Sequence, residues 1–275
     1  MLPEPLISRE PTGFAGLDRM WGGLPKGAVT DITGPSLGKT MLALQLMQKW
    51  TGEGKSVLYL DVENSLSREL AGKFSLLQEN FLLARPQTME ETIELLQTGY
   101  RTSVDFIVID TLSALFPEEE NFARSLRILF GYIPRRTQTT LLTLSQQRIN
   151  PQPRAPWGRG YRPGETSLER NAQANITLSP NGRIERLSQE AGARIRFNWS
   201  EGLSQNQATL GLYYQRGFSR ELSLLEESLS AGLIKRQGSY YYYHNLNLGQ
   251  GSEAAANALK DPALFSQVYN ELLNH

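Results

Sequence analysis

The sequence contains no cysteine and only two histidines, His244 and His275. Disulfides, thiolate metal sites and cysteine nucleophiles are excluded, and a histidine metal cluster is not expected. The lack of cysteine fits a reducing cytoplasm. No run of about 18 apolar residues occurs, so no membrane span is expected. The opening residues, MLPEPLISREP, lack the basic start and apolar stretch of a secretory signal. Nor does either sign of charge dominate: 28 Lys plus Arg balance 28 Asp plus Glu. Any affinity for nucleic acid must therefore come from a local patch. What is present is ordinary: 275 residues, 40% hydrophobic and 20% charged, enough for one large core and a small second one, with no internal repeat.

Apolar runs alternate with helical patterns through the first two-thirds of the chain. GAVTDIT (27–33), SVLYLDVE (56–63), FLLAR (81–85), DFIVID (105–110) and TTLLTLS (139–145) read as strands, continuous and apolar as buried parallel strands are. The segment from Lys39 reads as a helix with Leu42, Leu44, Leu46 and Trp50 mostly on one side. TMEETIELLQTGYR (88–101) reads as another, capped by Thr88 with Glu91 three residues on. This alternation predicts an α/β fold with a mostly parallel sheet between helices. Four segments after residue 170, NAQANITL, GRIERLS, ARIRFNW and QATLGLYYQ, alternate more and look antiparallel. A small α+β segment follows from residue 219: a helix, a tyrosine-rich strand SYYYYH and two short helices. The expected division is 1–218 for the core and 219–275 for a small C-terminal domain.

Residues 31–41, DITGPSLGKTM, join the first of these strands to the first helix. The sequence Gly38-Lys39-Thr40 is how a phosphate-binding loop closes. The wrap Gly34-Pro35-Ser36-Leu37-Gly38 is one residue shorter than the usual G-x-x-x-x-G-K-[ST]. In such a loop the lysine reaches the β- and γ-phosphates and the hydroxyl ligates Mg²⁺, while backbone N–H groups and the helix dipole hold the anion. The alternative is an ordinary helix start that happens to read Gly-Lys-Thr. Asp110 ends the apolar strand FIVID about seventy residues after Lys39, where an aspartate can hold a metal's water shell; it could also simply cap the next helix. Glu63, or Asp61 two residues before it, could polarise an attacking water. Gln146 ends the fifth strand and could touch a γ-phosphate.

Residues 147–169, QRINPQPRAPWGRGYRPGETSLE, form a long proline-rich loop. Across it and its next residue stand Arg148, Arg154, Arg159, Arg162 and Arg170 against Glu165 and Glu169, so five minus two leaves +3 in a neutral chain. Trp157 and Tyr161 lie among these arginines. Arginines that meet phosphates and aromatics that stack on bases are how proteins hold single strands. A solvated loop of incidental basicity is the alternative. The run Tyr240 to Tyr243 would send two rings in and two out of a strand, which favours packing.

These motifs resemble the bacterial RecA recombinases. PTGFAGLDRMWGGLPKGAVTDITGP is similar to the opening of that family's ATPase core, VLYLDVENSL to the strand with its catalytic glutamate, and VDFIVIDTLSAL to its metal-binding strand. LLTLSQQR is similar to the step into its second DNA loop, and residues from GLIKRQG onward to its small C-terminal domain. The likeness runs from about residue 11 to the end. It implies a RecA-type core with an antiparallel extension, ATP and Mg²⁺ as cofactors, Glu63 rather than Asp61 as the catalytic acid, and Gln146 as the switch glutamine. It also implies Tyr214 as an adenine-side tyrosine and single-stranded DNA as partner, with filament formation and pairing to a homologous duplex.

The departures cluster at the family's subunit interface. The phosphate loop is shortened, and only about ten residues precede the core. The first DNA loop is cut to the acidic FPEEENFARS, and two interface lysines fall on Asn198 and Ser200. Lys39, Thr40, Glu63, Asp110 and Gln146 remain. The pattern is that of a divergent paralogue. It leaves open a DNA-dependent ATPase of recombination and repair, a non-hydrolysing accessory that docks a repair polymerase or a true recombinase, and a different ATPase of the same fold.

Overall fold

The computed structural model describes residues 8–34, 36–111, 138–146, 172–186, 189–214 and 216–275, without the side chains of residues 36, 37, 146, 185, 186, 189 and 190. The chain forms two compact units. The first comprises Met1–Glu10, Leu24–Ser179 and Asn198–Gln205, and the second Pro11–Gly23, Pro180–Phe197 and Asn206–His275.

Two short strands, β1 (Arg9–Glu10) and β2 (Leu24–Pro25), pair antiparallel, and β3 (Val29–Gly34), β4 (Val57–Asp61), β5 (Phe81–Ala84), β6 (Phe106–Asp110) and β7 (Thr140–Gln146) make the parallel sheet of the first unit. The pairs β3–β7, β7–β6, β6–β4 and β4–β5 are all parallel. A sixth strand, β8 (Ala174–Arg186), joins β3 in parallel through Thr30–Thr33 and Ala174–Thr177. The first two segments expected to be separate antiparallel strands, NAQANITL and GRIERLS, thus lie largely on this one 13-residue strand. β9 (Gln189–Glu201), β10 (Ser204–Tyr213) and β11 (Gly217–Phe218) follow in the sheet order β11-β10-β9-β8-β3-β7-β6-β4-β5. Their short links require antiparallel neighbours, as the β10–β11 pairing shows. The fold is therefore α/β, with a mostly parallel central sheet and an antiparallel extension.

Packing explains the strands' apolar runs. Val29, Leu58, Leu60, Ile107, Ile109 and Leu141 form one buried cluster with Leu96 and Tyr100. The last two come from the helix Met89–Arg101, whose cap is as expected: Thr88 accepts from the Glu91 N–H, and the Glu91 carboxylate accepts from the Gln87 N–H. The helix Ser36–Gly52 keeps its four expected residues on the buried side. Leu42, Ala43, Leu44, Leu46, Met47 and Trp50 are all buried, while Met41, Gln45, Gln48, Lys49 and Gly52 form the more exposed stripe. Trp50 stacks on Phe106 with centroids 3.8 Å apart.

In the second unit, the helices Ala15–Trp21, Arg220–Ser230, Gly251–Ala258 and Pro262–Asn274 cover one face of a three-stranded antiparallel sheet, β12 (Ile234–Gln237), β13 (Tyr240–Tyr243) and β14 (Leu246–Gln250). Ala15, Leu224, Leu225, Ile234, Tyr241, Tyr243, Leu248, Ala255 and Val268 form its core. Asp18 ties the unit's first segment down: it accepts from the Thr12 N–H and hydroxyl, the Gly13 N–H and the Tyr269 hydroxyl.

Candidate functional site

The parallel strands end together, and the candidate residues stand at those ends. Gly34 is level with Gln146 on the neighbouring strand, and Asp61 with Asp110. In an open parallel sheet the carboxyl ends of the strands are where ligands bind.

The phosphate loop is tight. β3 runs through Gly34 and the next helix begins at Ser36, so only Pro35 stands between them. Gly34 and Gly38 have φ of +139° and +104°, conformations that residues with a Cβ rarely adopt. At Gly34 a Cβ would lie 2.5 Å from the Leu178 carbonyl oxygen, so glycine is required on two grounds.

Lys39, on the first turns of the helix, is 2% exposed, and its ammonium donates to the Gly34 carbonyl at 2.5 Å. Burial lowers its pKa, opposed by the charges of Asp110, Glu63 and Asp31. A desolvated cation held among carboxylates is prepared to receive a more concentrated anion.

Asp110 is 1% exposed. Its Oδ2 accepts from the Thr40 hydroxyl at 2.8 Å and from the Tyr59 hydroxyl at 2.9 Å. Its Oδ1 is buried without a partner. Burial raises its pKa; the Thr40 and Tyr59 hydrogen bonds lower it, and Glu63 and Asp61 raise it further. A buried carboxylate oxygen without a donor is costly. A water bound to Mg²⁺ is the kind of donor that would satisfy it, and Mg²⁺ commonly binds through one or two protein oxygens, several waters and substrate phosphates. The residues present fit a nucleotide with Mg²⁺.

Asp61 and Glu63 have separate surroundings. Asp61 is fully buried and accepts from the Ser65 N–H and hydroxyl, the Leu66 N–H and Arg85. Its oxygens are spent on the turn that follows β4. Glu63 is exposed, and its Oε1 accepts from the Thr111 hydroxyl at 2.8 Å. Of the two carboxylates, Glu63 is the one placed to meet a water.

The structure thus brings together Gly34, Gly38, Lys39, Thr40, Glu63 and Asp110, with the Gln146 backbone level with Gly34. Tyr214 lies in the second unit and is 45% exposed. Pro35 and the side chains of Ser36, Leu37 and Gln146 lie outside the described residues, as do Arg148, Arg154, Trp157, Arg159, Tyr161, Arg162 and Arg170. Sequence reasoning missed Tyr59, which reads as one more apolar residue of a buried strand. It also missed Thr111, whose hydroxyl matters only because of where Glu63 lies. Asp31 went unremarked for the same reason: it accepts from Thr143 and Ser145 on the adjacent strand at 2.7 and 2.8 Å.

Known proteins share this arrangement of sequence. Residues 5–125 match the RecA N-terminal domain and residues 223–275 the RecA C-terminal domain. Protein RecA of Thermus thermophilus is 28% identical over 294 aligned positions, covering 99% of this chain and 86% of that protein. Protein RecA of Nitratiruptor sp. is 30% identical over 298 positions, covering 98% and 84%. Protein RecA of Laribacter hongkongensis is 28% identical over 291 positions, covering 95% and 80%.

Proposed function

Since the chain belongs to the RecA family, we propose that it is an ATP-dependent single-stranded-DNA-binding protein of homologous recombination and DNA repair. The observation that carries the reading is the meeting of Lys39, Thr40 and Asp110, with the buried Asp110 Oδ1 left for a metal-bound water. On this reading Lys39 and the backbone from Gly34 to Gly38 hold the β- and γ-phosphates of ATP. Thr40 and Asp110 hold Mg²⁺ and its water shell. Bound Mg²⁺ would neutralise charge on the phosphate oxygens. Glu63 accepts the proton of the attacking water, and Thr111 keeps that carboxylate in place. Gln146 touches the γ-phosphate and passes its state to the arginine-rich loop at 147–170, which grips the single strand. Tyr214 covers the adenine, and residues 1–218 and 219–275 divide the work as core and small domain. A protein that works on the chromosome in this way belongs in the cytoplasm.

A second reading follows from the short loop: a non-hydrolysing accessory that docks a repair polymerase or another recombinase. One loop residue fewer and a lysine already seated on Gly34 favour weak nucleotide binding. ATP turnover by purified protein, with and without single-stranded DNA, separates the two. The hydrolytic reading expects turnover that rises with DNA and disappears in Lys39→Ala. Turnover no higher than that of Lys39→Ala under both conditions would leave the accessory reading alone.

A further inference from the structure

Tyr59 sits in the middle of β4 and is fully buried. Its ring lies against Phe81 on the edge strand β5, with centroids 6.4 Å apart and planes at 30°. Its register partner on β6 is Val108, two residues before Asp110 and so on the same face as that carboxylate. Strand pairing therefore brings the Tyr59 hydroxyl to Asp110, and it donates to Oδ2 at 2.9 Å. Phenylalanine would serve the packing equally well. The hydroxyl is accounted for by Asp110, and Tyr59 has no part in the steps assigned above.

Thr40 donates to the same oxygen at 2.8 Å. A carboxylate oxygen has about two lone-pair positions, so the two hydroxyls fill Oδ2. Oδ1 is buried without a partner. The two oxygens of this buried carboxylate are thus unequal: protein donors occupy one and leave the other. The Thr40 hydroxyl can keep its proton on Asp110 and still offer a lone pair to a metal. The Tyr59 hydroxyl, enclosed in the core, has the single task of holding Oδ2.

We propose that Tyr59 sets the metal specificity of the nucleotide site: by occupying Oδ2 it confines Asp110 to contact through Oδ1, which suits Mg²⁺ and disfavours Ca²⁺. The inference rests on the nucleotide reading above and names a determinant of that same site. Mg²⁺ gives up its waters reluctantly and commonly meets protein through them, so one carboxylate oxygen that accepts from a bound water is sufficient. Ca²⁺ takes about six to eight oxygens and binds carboxylates directly, through one oxygen or both. To use Oδ2 here it would have to displace the Tyr59 hydroxyl. A buried donor left without an acceptor is costly, and that cost falls on Ca²⁺ and not on Mg²⁺.

The test compares the full-length protein with Tyr59→Phe, which keeps the ring and its packing on Phe81 and removes only the hydroxyl. A non-hydrolysable ATP analogue, saturated with Mg²⁺ in one series and with Ca²⁺ in the other, is titrated into each protein by calorimetry, so binding is read without turnover. Wild type should bind the Mg²⁺ complex more tightly than the Ca²⁺ complex. In Tyr59→Phe the Ca²⁺ complex should gain about ten-fold on the Mg²⁺ complex, because Oδ2 has become available. A hydroxyl that only stabilises the fold would lower the unfolding midpoint and weaken both complexes alike, leaving their ratio as it was. An unchanged ratio in Tyr59→Phe, or equal affinity of wild type for the two complexes, would overturn the proposal. Metal-dependent binding with an unchanged ratio sinks the specificity alone. Failure of wild type to bind either complex sinks the nucleotide reading and the specificity with it.

Discussion

At the scale of single residues, two carboxylates two positions apart on one strand end have been given different work by their neighbours. Asp61 is held by two backbone N–H groups, a serine hydroxyl and Arg85, while Glu63 accepts from the Thr111 hydroxyl. The sequence around them shows why one could not be chosen over the other from residue type alone: both are acids at the end of an apolar run, and the groups that decide come from Ser65, Leu66, Arg85 and Thr111. Lys39, Thr40 and Asp110 were legible because motif spacing fixes them; Tyr59 and Thr111 were not, because their hydroxyls acquire meaning only through a strand neighbour. If Thr111 positions Glu63, Thr111→Val should lower kcat by about ten-fold or more and leave the KM for ATP nearly unchanged. A hydrogen bond to a charged group is worth about 1.5–3 kcal/mol. Steady-state kinetics with single-stranded DNA present check this; a rise in KM with kcat intact would mean that Thr111 serves binding and not the water.

At the scale of elements, the parallel sheet and its carboxyl-end site were readable from five apolar runs and the helical patterns between them. The long β8 was not, because polar Ser179–Pro180–Asn181 in its middle reads as a break, and only pairing with neighbours carries a strand through such a stretch. The helix Ser36–Gly52 was legible from Leu42, Leu44, Leu46 and Trp50, all of which lie on its buried side. The loop before that helix makes two predictions. Gly34→Ala should destabilise the fold by about 1–3 kcal/mol, because φ of +139° and a 2.5 Å approach to the Leu178 carbonyl both exclude a Cβ. Chemical denaturation measures this. Inserting one glycine between Gly34 and Pro35 should tighten ATP binding by about five-fold or more, since a longer wrap offers one more backbone N–H to the phosphates. A nucleotide titration that finds the insertion neutral or harmful would show that the short loop is not what limits affinity.

At the scale of the whole molecule, equal numbers of acids and bases leave no general charge to drive stability with pH, so particular buried groups decide it. Two carboxylates pull in opposite directions, one in each unit. Glu10, 2% exposed, receives hydrogen bonds or ion pairs from Lys26, Lys49 and Lys55. Burial alone would raise its pKa; hydrogen bonds from Lys55 and Lys26 and the charges of Lys55 and Lys49 outweigh that and hold it below the ordinary 4.5. Its folded form therefore releases a proton more readily than its unfolded form. The stability it contributes is present above about pH 4.5 and is lost as pH falls through the folded value. Asp18 is the reverse. Burial raises its pKa above the ordinary 3.8 in spite of donors from Tyr269, Thr12 and Gly13. The proton-linked stability it contributes is present below that value and is lost as pH rises through the folded one. Thermal unfolding of wild type and Glu10→Gln from pH 7 down to pH 3.5 tests the first group. The midpoint difference should be steady near neutrality and shrink below about pH 4.5, because acid removes in wild type the charge that the substitution has already removed. A difference that stays constant to the acid end would mean that the three lysines stabilise position 10 by packing rather than through its charge.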